Sequence, residues 1–76
     1  MNAVRRKKLK KLHATISEVY EALEELRDEE ECNMSNMPEN LHTSERYNRA
    51  EAAVCAIESA ISSLAYALDF IEEAKE

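Results

Sequence analysis

The chain has 76 residues and a formal net charge of −6, enough for one small domain and no second. It contains no glycine, no tryptophan and one proline, while 42 residues (55%) are Ala, Glu, Lys, Leu or Arg, the bias of long helices and coiled coils. Without glycine, the P-loop, the dinucleotide fingerprint, the kinase loop and the nucleophile elbow are all excluded, because each needs a residue without a Cβ at a tight turn or close approach.

The chain opens on a basic run, Arg5, Arg6, Lys7, Lys8, Lys10 and Lys11. No apolar stretch follows it, so a secretory signal is not expected. Six positive charges at a helix end can neutralise phosphates, which makes the run a candidate nucleic-acid contact. Two features oppose that reading: residues 12–76 carry −12, and no aromatic side chain interleaves the run to stack on bases. The plainer expectation is a solvated helix end that pairs with the acidic C-terminus.

A first helix is expected over about residues 4–32. Leu9, Leu12, Ile16, Val19, Leu23 and Leu26 alternate at spacings of three and four, a heptad a/d pattern that lays one apolar seam along a helix. His13 falls at an e position beside that seam, as a helix-edge residue and not a ligand. Glu30 continues the a column and is expected to accept a bond from Tyr47 at the polar end of the core. The helix ends in an acidic cluster, Glu24, Glu25, Asp28, Glu29, Glu30 and Glu31, against Arg27 alone.

Residues 33–43 read as a loop. Asn, Ser and Thr compete for local backbone bonds, and Pro38 drives Met37 out of helical geometry. Met34, Met37 and Leu41 are expected to plug the open end of the seam. Glu39 and His42 have the Glu-x-x-His spacing of di-iron bundles, but such sites need a rigid inward-facing helix and further glutamates. No metal, cofactor or catalytic residue is therefore expected, and zinc is disfavoured because there is no histidine besides His13 and His42 and no cysteine pair at short spacing.

A second helix is expected over about 44–74, capped by Thr43 or Ser44 with Glu45 against its positive end. Its seam is Tyr47, Ala50, Val54, Ile57, Ile61, Leu64, Leu68 and Ile71. Beside it runs a column of Ala53, Ala60, Ala67 and Ala74, flanked by Ala56 and Phe70, wide enough for a further helix to approach closely. The longest uncharged run, Ser59 to Leu68, is ten residues, so no membrane span is expected against the roughly 20 needed.

The two segments together read as an all-α antiparallel helical hairpin, a single domain over residues 1–76. Hairpin pairing sets the basic end of the first helix beside Asp69, Glu72, Glu73 and Glu76, and its acidic end beside Arg46 and Arg49. A turn near Pro38 would put Cys32 and Cys55 ~16 Å apart along the axis, too far for a disulfide. Chains this short commonly need oligomerisation. The expectation is a homodimer forming a four-helix bundle with coiled-coil-like packing, its interface on Ala53, Ala56, Ala60, Ala67 and Phe70. A different protein on the same seam is the alternative occupant.

The segment Asn36 to Tyr47, with Met-Pro-Glu-Asn-Leu and Ser-Glu-Arg ahead of Ala-Glu-rich heptads through Ala74, resembles short uncharacterised helical-hairpin proteins of Firmicutes and their prophages. The likeness covers roughly residues 24–75, leaves the basic tip outside it, and brings no activity or cofactor. It implies a bacterial or phage accessory protein in the cytoplasm. The function expected is thus a protein–protein interaction or assembly module with no chemistry of its own. The alternatives are a nucleic-acid-associated protein using Arg5 to Lys11, and an acidic mimic of nucleic acid that blocks a basic site on a partner.

Overall fold

A computed structural model describes the whole chain, Met1–Glu76. Two long helices, α1 (Ala3–Ser35) and α2 (Glu45–Lys75), are joined through a 3-10 turn at Glu39–Leu41, with no strand. They pack against each other as an antiparallel hairpin, a rod of 59 × 14 × 12 Å. Each helix outruns the expected boundaries by one to three residues at its loop end or C-terminus.

Local chemistry sets the ends. Asn2 caps α1, its Oδ1 accepting from the Arg5 amide at 2.9 Å. At the other end the Asn36 amide closes the last turn on the Cys32 carbonyl at 3.1 Å, and Pro38, in extended geometry, stops propagation. Of the two candidate caps for α2, Ser44 is the one used: its Oγ accepts from the Tyr47 amide at 3.2 Å. In the turn, the His42 ring stacks on Tyr47 at a centroid distance of 4.5 Å, and its Nε2 lies 3.0 Å from the Met37 carbonyl. Glu39 and His42 thus sit on a 3-10 turn whose histidine is already engaged. Tyr47 stacks on His42 and leaves Glu30 to accept from Asn33 Nδ2 at 3.4 Å, which corrects the expected Glu30–Tyr47 pairing.

The seam on α2 is the expected one, and only Ala50, Val54 and Ile61 are buried in it. On α1 the structure corrects the sequence reading. The a column packs inward with the e column, His13, Tyr20, Arg27 and Met34, which are all part-covered. The expected d column stays out: Leu12, Val19 and Leu26 are 55%, 47% and 53% exposed. His13, Tyr20 and Arg27 carry apolar bodies that can cover a seam while their polar tips reach water or a charged neighbour. Hydropathy ranks them below leucine and so points to the wrong flank.

The register also differs from the expected one. His13 meets Glu72, and α1 ends at Ser35 as α2 begins at Glu45, so the numbers of facing residues add to about 80–85. Cys55 then stands level with a residue near 25–30, and its axial distance from Cys32 shrinks to ~10 Å or less. Both thiols are free and exposed.

Helix α2 contains an 18-residue window of mean hydropathy 1.5 with no more than two charged side chains, so by length and composition it is apolar enough to cross a membrane. The window is longer than the ten-residue uncharged run behind the expectation of no span because it takes in the isolated charges that bound that run. In the hairpin the window packs one side on α1 and leaves the rest uncovered, 11% of it being buried.

Truncating Ile61 to Ala removes one of the three buried side chains and should cost about 2–4 kcal/mol. Tyr66→Ala, at a position 67% exposed, should stay within about 0.5 kcal/mol. Urea unfolding of both variants at one fixed protein concentration checks the pair.

Candidate functional site

Two surfaces stand out. The first is the uncovered apolar face of the hairpin. On α1 it is the Leu12, Val19 and Leu26 column. On α2 it is the alanine column, in which Ala60 and Ala67 are part-covered while Ala53 and Ala74 are exposed. At about 100° per residue each column lies roughly 80° from the centre of the shared seam, displaced in the same rotational sense. Because the helices run in opposite directions, the same sense on both brings the two columns to one side of the hairpin. Ile57, Leu64 and Ile71, all part-covered, lie between them. The result is a continuous apolar face running along the rod.

The face differs from the expected interface in its α1 half. Leu12, Val19 and Leu26, expected inside the intrachain seam, stand outside it. The signal that could have found them is the third apolar-tolerant column of α1, with Tyr20 and Met34 at e positions. Phe70 lies on the outer side of the alanine column. It is 64% exposed and shares its column with Ala56, one turn along the helix from Ala67. Ala56 lies beyond the outer edge of the alanine column.

The second surface is the basic tip. Every residue from Met1 to Lys8 is exposed, and Leu9 is the first α1 side chain that α2 covers. Arg5, Arg6, Lys7, Lys8, Lys10 and Lys11 make no ion pair within 4.0 Å, contrary to the expected pairing with the acidic C-terminus. The tip lies beside and just beyond the C-terminal end of α2, with its charges unpaired at contact distance. Shallow open depressions beside Leu9 and Leu12 and beside Val4 and Lys11 are grooves between side chains, and a third lies along Cys55, Glu58, Ser59 and Ser62.

One charged contact joins the helices. His13 Nε2 stands 3.2 Å from Glu72 Oε1, and Lys75 Nζ donates to the same oxygen from 2.9 Å. The hydrogen bond from Lys75, ahead of the charges of Lys75 and His13, holds the Glu72 carboxyl below its ordinary value against some desolvation. Arg27 bonds Asp28 at 3.2 Å, which raises its already high pKa further, with Glu31 and Glu24 adding to it. Arg49 pairs with Glu45 on its own helix instead of with the acidic end of α1. No group of three or more His, Cys, Asp or Glu side chains is arranged to hold a metal ion.

The chain matches no family model, and no similar curated protein or solved structure is found.

A carboxyl whose folded pKa is lowered stabilises at neutral pH, and its contribution fades as pH falls through the ordinary carboxylate range to the folded value. The Glu72→Gln variant lacks that component, so its thermal midpoint should fall less steeply on acidification than that of the parent. A thermal-melt series from neutral to acid pH at constant ionic strength reads the difference in slope.

Proposed function

We propose that this protein is a small cytoplasmic interaction or assembly module that works through helix faces, with no chemistry of its own. In this reading two hairpins pair through their uncovered apolar faces as a homodimer, making a coiled-coil-like four-helix bundle. The observation that carries it is the exposure of Leu12, Val19 and Leu26, at 55%, 47% and 53%, on the same side as the alanine column. Three large side chains at heptad spacing on a rod with three buried residues are an incomplete core. The free thiols of Cys32 and Cys55 fit a reducing compartment. A bacterial or prophage accessory role is consistent with the resemblance of the loop segment. Without a dimer, the same face would serve a different helical protein.

Size-exclusion chromatography with light scattering near 0.15 M salt tests the reading, with a dimer of twice 8.7 kDa expected. Ala60→Leu should overpack the alanine column and weaken that dimer by about 1–3 kcal/mol, read as a shift of the monomer–dimer midpoint. A cooperatively folded monomer at micromolar concentration overturns it.

A second reading is nucleic-acid association through Arg5, Arg6, Lys7, Lys8, Lys10 and Lys11, favoured by the exposure of the tip and its lack of ion pairs. A gel-shift titration at two salt concentrations separates the two. The module reading expects no retained complex at physiological salt. Binding that persists there, and disappears when the six side chains are neutralised, would establish the tip as a phosphate contact.

A further inference from the structure

The hairpin is electrically lopsided along its length. Its open end, residues 1–13 with 66–76, holds seven Lys and Arg against four Asp and Glu, a net +3. Its loop end, residues 24–51, holds nine acidic against three basic side chains, a net −6. Little of this is cancelled at contact distance, since His13–Glu72 is the one pair within 4.0 Å that joins the helices. Stacking two such rods in the same direction sets like ends together, and stacking them in opposite directions sets each positive end on a negative one.

The apolar face has a matching symmetry. Leu12 and Leu26 lie seven residues either side of Val19, so the column reads the same in both directions. The alanine column Ala53, Ala60, Ala67 and Ala74 is likewise centred between Ala60 and Ala67. In the observed register Val19 stands level with a residue between about 61 and 66, so the two columns share one centre. A single two-fold axis, perpendicular to the helices and lying in the apolar face, satisfies both at once. Such an axis makes a self-complementary, closed interface.

We propose that the occupant of the apolar face is a second copy of this chain docked head to tail, with a dyad at Val19. This rests on the dimer reading above and specifies its geometry. Helix α1 then runs antiparallel to α1 of the second copy, and α2 antiparallel to α2. Val19 meets the partner's Val19, and Leu12 meets the partner's Leu26. Lys8 falls level with the partner's Glu30. Lys11 comes within about 3 Å along the axis of the partner's Glu29, on the same outer flank. The exposed tip gains the acidic partner that its own chain does not supply. The competing arrangement, with a dyad along the rod, faces α1 with the partner's α2 and stacks like-charged ends.

The test uses the full chain with Cys32→Ser and Cys55→Ser and one added cysteine, treated with a short bis-maleimide at a concentration where light scattering reports the oligomeric state. Circular dichroism on each variant confirms its helix content. Val19→Cys should crosslink to itself as the major product. Leu12→Cys alone should not, because two copies of residue 12 would lie about 14 residues, ~21 Å, apart. A mixture of Leu12→Cys and Leu26→Cys chains should crosslink again. For the chain without added cysteines, dimer affinity should fall as salt is raised. Dimeric Val19→Cys that fails to crosslink, or affinity that rises with salt, overturns the head-to-tail geometry and leaves the dimer standing. A folded monomer throughout overturns both.

Discussion

Two cylinders touch along a line, and that constraint governs this structure. A helix pair of any length has no interior, only a seam, so a rod 59 Å long buries just Ala50, Val54 and Ile61. Burial of apolar area is the main driving force for folding, and the hairpin alone collects little of it. The small residue Ala50 is buried near the loop end. Further along, larger side chains such as Leu64 and Leu68 remain part-covered because nothing lies above them.

Each helix offers more than one apolar column, and one neighbour can cover only part of that width. α1 turns its a and e columns inward and leaves Leu12, Val19 and Leu26 outside. α2 keeps its a and d seam and leaves the alanines on the flank. That both remainders fall on one side follows from the antiparallel direction combined with right-handed helices, and it converts two narrow stripes into one face.

Charge arranges the molecule at a larger scale than contact does. The basic run stands at the N-terminal end of α1 and the acidic cluster at its C-terminal end, each against the helix dipole. Such placement is tolerated because most of these groups are exposed, and exposed pairs contribute little individually. Their sum still gives the rod a positive and a negative end. Arg49 satisfies itself locally on Glu45, and Lys75 on Glu72, since a neighbour one turn away loses less side-chain freedom than a partner on another helix.

Much of the fold was legible in the residues: two heptad segments, a break at Pro38, a cap at Thr43 or Ser44 and an antiparallel return. These are local properties, set by periodicity, by the ring of proline and by a hydroxyl within reach of an amide. The inward columns of α1, the register and the α1 half of the uncovered face were not legible. His13, Tyr20 and Arg27 look polar in a hydropathy count, yet their stems can cover a seam as leucines do. The register depends on how much chain the turn consumes. The 3-10 turn at Glu39–Leu41 moves its centre beyond Pro38, and with it the level at which Cys32 and Cys55 stand. The sequence by itself therefore determined which segments are helical and in which direction they return, because those follow from neighbours along the chain. Only the tertiary structure decided which of several apolar columns meet, because that choice is made by side-chain shape across the gap between two helices.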